Sequence, residues 1–89
     1  MDTNVAPLAM VSGGGEAVQF EIEIRGKRFP CSITREALED HFWLERPADD
    51  SRLLRAFSDG RERIVAIAER KARRSAVEMI KLTSHDFER

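Results

Sequence analysis

The run Val18-Gln19-Phe20-Glu21-Ile22-Glu23-Ile24-Arg25-Gly26-Lys27-Arg28-Phe29-Pro30-Cys31-Ser32-Ile33-Thr34 alternates apolar and polar residues on both sides of a central glycine. Successive side chains on a strand point to opposite faces, so the alternation predicts a β-hairpin with one buried face. A two-residue turn at Gly26-Lys27 sets Ile24 opposite Phe29, Ile22 opposite Cys31 and Phe20 opposite Ile33. The other face then pairs Arg25 with Arg28, Glu23 with Pro30 and Glu21 with Ser32. A slip by one residue would turn the whole apolar set into water, so the face assignment is strongly specified. This pattern defines a scaffold and carries no chemistry of its own.

The rest of the 89-residue chain supports one domain. Residues 1–16 contain Pro7 and the Gly13-Gly14-Gly15 run without sustained periodicity, and they read as a disordered N-terminal tail ahead of a single domain at 17–89. A domain this small buries only about 60–65% of the surface its unfolded chain exposes, which leaves little room for a deep catalytic cavity. No stretch has the length and apolar character of a secretory signal or a membrane span. The single cysteine, Cys31, cannot form an internal disulfide, in keeping with a reducing cytoplasm. With 15 basic and 16 acidic residues, the chain as a whole has no electrostatic attraction to nucleic acid or anionic lipid.

Past the hairpin, Thr34 suits a helix N-cap and residues 35–42 are helix-favouring, with Leu38 and Phe42 four apart on one face. Pro47 ends any continuation. A second helix starts at Asp49 or Asp50 and is expected to run to about Arg74, with Leu53, Leu54, Phe57, Ile64, Ile67, Ala68 and Ala72 on one side. Gly60 interrupts it, but the apolar phase continues across the glycine, which favours one helix with a kink over a break. Val77-Glu78-Met79-Ile80-Lys81-Leu82 reads as a third strand with Ile80 and Leu82 facing the core. Thr83, Ser84 and Asp86 suit a terminal turn that folds Phe87 back onto it. The expected fold is therefore α+β, in the order β-β-α-α-β. It has an N-terminal antiparallel hairpin, a third C-terminal strand, and two helices packed on one face of the sheet.

Three segments resemble a known family: the run from Phe29 through Asp40, then Leu53-Leu54-Arg55-Ala56-Phe57 with Arg61 and Ile64, and the closing Leu82-Thr83-Ser84-His85-Asp86-Phe87. They are similar to the small bacterial proteins grouped as domain of unknown function 1488. The resemblance spans roughly residues 18–87 and implies a compact bacterial α+β domain, with no activity to carry over. Gly60 departs from it, standing where a polar residue such as asparagine is expected, and the connection from Arg74 to Val77 is short.

Catalytic and cofactor chemistry finds little support. Cys31 falls on the apolar face of the hairpin, where a thiol behaves as a small inert hydrophobe. The two histidines, His41 and His85, lack the spaced partners of a metal site, and Glu39, Asp40 and His41 read as a solvated helix side. No glycine-rich loop joins a strand to a helix, so no phosphate cradle and no cofactor are expected.

Charge segregation is the remaining signal. Residues 34–51 carry six acids against two arginines, net −4, and residues 61–74 carry six bases against two acids, net +4. At 100° per residue, Arg52, Arg55, Arg63, Arg70, Arg73 and Arg74 gather opposite Phe57 and Ile64 as a stripe, the candidate binding residues of the chain. Arg61 and Lys71 fall on the flank of the apolar side and must snorkel, meet another chain or pair with an acid, for which the first helix is the candidate. The leading expectation is a noncatalytic interaction or accessory domain that self-associates through a strand edge or a patch around Trp43, Leu44, Val77 and Met79. A nucleic-acid-binding regulator using the arginine stripe is the alternative, and a small enzyme a distant third.

Overall fold

The computed structural model describes residues 9–45, 49–74 and 79–88. They form an α+β fold around a four-stranded mixed sheet, ordered β1 (Met10–Ser12), β2 (Ala17–Ile24), β3 (Lys27–Thr34) and β4 (Ile80–Leu82). The first three strands are antiparallel neighbours, and β4 runs parallel to β3. Helices α1 (Arg35–His41), α2 (Asp50–Asp59) and α3 (Arg61–Arg74) cover one face, and a 3₁₀ turn at Ser84–Phe87 closes the chain.

The hairpin forms with the expected buried face but in a register two residues away from the expected one. Its turn is Arg25-Gly26, both with positive φ (52° and 80°), so Ile24 pairs with Lys27, Ile22 with Phe29, Phe20 with Cys31 and Val18 with Ile33. A turn with two positive φ values matches the right-handed twist of the strands and favours glycine at its second position, where Gly26 sits. The shift also sets Glu23 opposite Arg28, replacing the like-charge Arg25–Arg28 pair of the other register. A two-residue shift keeps every side chain on its own face.

Two further expectations are corrected at the ends of the sheet. The domain begins before residue 17: Met10, Val11 and Ser12 pair with Gln19, Val18 and Ala17, joined to β2 by a glycine-rich loop in which Ser12 O accepts from Gly15 N and Glu16 N. The remainder of the expected tail, residues 1–8, lies outside the described residues. The C-terminal strand comprises only Ile80–Leu82, with Met79 ahead of it; Val77 and Glu78 lie outside the described residues, as does Pro47.

The long helix is in fact two. Gly60 N still donates to Ala56 O and Ile64 N to Gly60 O, yet α2 ends at Asp59 and α3 begins at Arg61. What calls for glycine at this junction lies outside the helix: a Cβ on Gly60 would collide with Cδ1 and Cε1 of the Phe42 ring. The backbone at Gly60 has an ordinary negative φ, so glycine is needed for the close approach of that ring rather than for conformational freedom. Caps form where expected: Thr34 Oγ1 accepts from Ala37 N at 3.1 Å, and Asp49 Oδ1 from Arg52 N at 3.0 Å.

Val18, Phe20, Ile22, Cys31 and Ile33 of the hairpin, with Ile80 and Leu82 of β4, form the sheet side of one core. Leu38, Leu53, Phe57, Ile64 and Ala68 close it from the helices, with the Phe20 and Phe57 rings 4.9 Å apart. Phe87 returns to this core as expected, edge-on to Phe42 at 5.3 Å. Its turn is tied by Asp86, whose Oδ2 accepts from Thr83 N at 2.8 Å and from Lys71 Nζ at 3.0 Å. Lys71 thus finds its acid in the C-terminal turn and not in α1, while Arg61 is exposed.

Candidate functional site

The six candidate arginines are all exposed, but the fold does not keep them in one stripe. Arg52 and Arg55 sit on α2, and the turn at Gly60 separates them from Arg63, Arg70, Arg73 and Arg74 on α3. The Arg63 guanidinium stacks over Phe42 at 5.3 Å and Phe87 at 5.6 Å, which commits it to the packing of α1 against the C-terminal turn. Arg70 and Arg74 share the rim of a 490 Å³ cleft with Lys71, His85, Asp86 and Glu88. Inside that cleft Lys71 is paired with Asp86, and His85 Nδ1 lies 3.4 Å from Glu88 Oε1.

Among the described residues the nucleophile candidates are closed off. Cys31 is fully buried with Sγ 3.4 Å from Phe29 O, and burial pushes its thiol up to about 12. At neutral pH the thiolate is therefore scarce. Ser84 has both an acid and an imidazole nearby, in the wrong arrangement. Its hydroxyl donates to Asp40 Oδ2 at 2.6 Å, and His41 Nε2 lies 3.0 Å from the Ser84 carbonyl and 3.3 Å from Oγ. A carbonyl only accepts, so Nε2 carries the proton and cannot also take one from Oγ. In a catalytic triad the carboxylate orients the imidazole; here it holds the serine. The trio is a clasp between α1 and the C-terminal turn. No three His, Cys, Asp or Glu side chains among the described residues converge as a metal site.

The expected apolar patch also divides. Leu44 is a core residue, its N–H turned back to Leu38 O at 3.2 Å. Burying it requires a left-handed residue just before it, and that residue is Trp43, with φ 63°. The indole is consequently thrown outward and is 91% exposed. Met79 lines a different surface, on the uncovered face of the sheet, and Val77 lies outside the described residues. The edge of β4 is partly closed to a further strand, because Lys71 Nζ takes the Lys81 carbonyl at 2.7 Å.

That uncovered face carries a feature that reading along the chain does not reveal. A groove of 540 Å³ runs over it, with Ala17, Ser32 and Thr34 among the residues along its floor and Gln19, Lys81, Glu16, Arg35 and Glu36 around it. Gln19, Ser32 and Lys81 are in register across β2, β3 and β4. Each is an outward position flanked by apolar neighbours, which is the only signal the sequence holds. Their meeting depends on β4 lying beside β3.

Residues 10–82 match the family model described as "Protein of unknown function (DUF1488)". No curated protein and no solved structure matches the chain. No helix among the described residues is long and apolar enough to cross a membrane.

Proposed function

We propose that this chain, which belongs to the DUF1488 family of proteins of unknown function, is a noncatalytic interaction domain that docks through Trp43. The carrying observation is a tryptophan 91% exposed on a left-handed backbone. A β-carbon costs roughly 1–2 kcal/mol in that conformation, and glycine would occupy it without the cost. An indole held in water at such a position fits an anchor for a partner surface, since tryptophan is prominent among interface hot spots. The buried thiol and the engaged imidazole support the noncatalytic part of the reading, and a lone reduced cysteine fits a cytoplasmic setting.

The occupant is a second copy of this chain. Exposed acids Asp40, Glu45, Asp49 and Asp50 lie near Trp43 in sequence, and the exposed face of α3 in another copy offers Arg70, Arg73 and Arg74. Guanidinium groups stack on indole and pair with carboxylates, so the two surfaces are complementary. The contact is head-to-tail and yields an open series of weak oligomers.

Light scattering on wild type should show mass rising with concentration and falling with salt. Trp43→Ala alone and the triple variant Arg70→Glu, Arg73→Glu, Arg74→Glu alone should be monomers. Mixed together they should form a one-to-one heterodimer and nothing larger, because each keeps the surface the other lacks. A wild-type chain that stays monomeric at high concentration, or variants that associate as wild type does, would overturn the reading. Salt-sensitive retention of the wild type on DNA or RNA, lost in the arginine variant and kept in Trp43→Ala, would put nucleic acid in its place.

A further inference from the structure

We infer that the groove on the uncovered face of the sheet binds the zwitterionic backbone of a di- or tripeptide. Ser32 is 5% exposed and lines the groove, and among the described residues its hydroxyl has no hydrogen-bond partner and is not sealed from solvent. With the rest of the side chain enclosed, the Ser32 hydroxyl offers its hydrogen-bonding capacity toward the groove. The opening of Ser32 onto the groove therefore points to a polar group that arrives from outside.

The charges around the groove define that group. Lys81, in register with Ser32, forms no ion pair among the described residues. With the Gln19 amide on the other side of Ser32, it makes a seat for one carboxylate. At the other end stand Glu16 and Glu36, likewise unpaired among the described residues. Arg35 beside them is held by Glu39 at 3.2 Å, and its backbone N donates to Glu16 O at 2.8 Å. One end thus favours a carboxylate and the other an ammonium, while a polyanion would be repelled by the two glutamates. The ends are about three residues apart along the strands, roughly 10 Å at strand rise. A free amino acid is too short for this span, and a di- or tripeptide reaches it.

Titration of the ¹⁵N-labelled full chain with trialanine at low salt should move the amides of Gln19, Ser32 and Lys81 in a saturable way. N-acetyl-trialanine lacks the ammonium and trialanine amide lacks the carboxylate, so each should bind at least tenfold more weakly. Lys81→Met, an exposed change that leaves the folded spectrum intact, should lower affinity for trialanine to that of the amide. Ser32→Val should abolish the response by filling the floor. Absence of saturable shifts, equal binding of the capped peptides, or shifts that map away from the groove would each overturn the assignment.

Discussion

The two faces of the sheet are made of alternating residues of the same strands, yet they differ in how completely their groups are used. On the inner face Val18, Phe20, Ile22, Cys31 and Ile33 are all buried against the helices, and even the thiol is spent as packing. On the outer face the intervening residues include Gln19, Ser32 and Lys81, whose side-chain polar groups make no hydrogen bond or ion pair among the described residues. Closure on one side and residual valence on the other assign stability and recognition to opposite faces of one element.

Adjacent residues test that division most severely. Ile33→Ala opens a cavity in the core and should cost about 2–5 kcal/mol in urea denaturation. Ser32→Ala, one residue away, should change stability by no more than about 0.5 kcal/mol in either direction, since it removes a hydroxyl without an internal partner. Comparable losses at both positions would mean that the outer face is structural after all.

Gly60 extends the contrast to the helices. Were it merely a weak point in a helix, Gly60→Ala should stabilise by about 1 kcal/mol. Because the new methyl group would run into the Phe42 ring, a loss of about 1–3 kcal/mol is expected instead, relieved when Phe42→Leu is added. Additive effects in the double-mutant cycle would remove Phe42 as the reason for glycine at this position.

The same residues mark how far the sequence could be read. Alternation gave the buried hairpin face, and the capping residues Thr34 and Asp49 and the terminal turn followed from local hydrogen-bonding rules. Periodicity alone leaves the turn one residue, and the pairing two residues, from where they fall, a difference to which the facial pattern is blind; only the φ requirement at Gly26 and the charge pairing decide it. β1 is too short to show a period, and Gly60 answers to a ring eighteen positions away in the chain. The groove depends on β4 lying parallel beside β3, a long-range pairing that no local pattern encodes.

The C-terminal turn supplies a smaller and pH-dependent test. Burial pushes the Asp86 carboxyl up, but the Thr83 amide and the Lys71 ammonium outweigh it and hold the group below the ordinary carboxylate range. A carboxyl depressed in the folded state stabilises fully above its unfolded value, and that contribution disappears as pH falls through the folded value. Asp86→Asn should therefore cost roughly 1–2 kcal/mol at neutral pH and nearly nothing in strong acid, flattening the acid limb of the stability profile. A loss of constant size at all pH values would show that the turn is held by Phe87 packing and not by this carboxylate.

Trp43 gives the smallest effect and the most direct one for function, because stability and recognition should move in opposite directions. Replacement by glycine removes a β-carbon from the left-handed region, worth roughly 1–2 kcal/mol, and returns part of it as unfolded-state entropy. The indole is almost wholly in water, so little packing is lost. Trp43→Gly should accordingly raise stability by about 0.5 kcal/mol while abolishing concentration-dependent association. A destabilised variant would mean that the indole packs on its own chain in solution; a stabilised variant that still associates would move the contact elsewhere. Only gain of stability with loss of association identifies a strained residue kept for what it touches on another molecule.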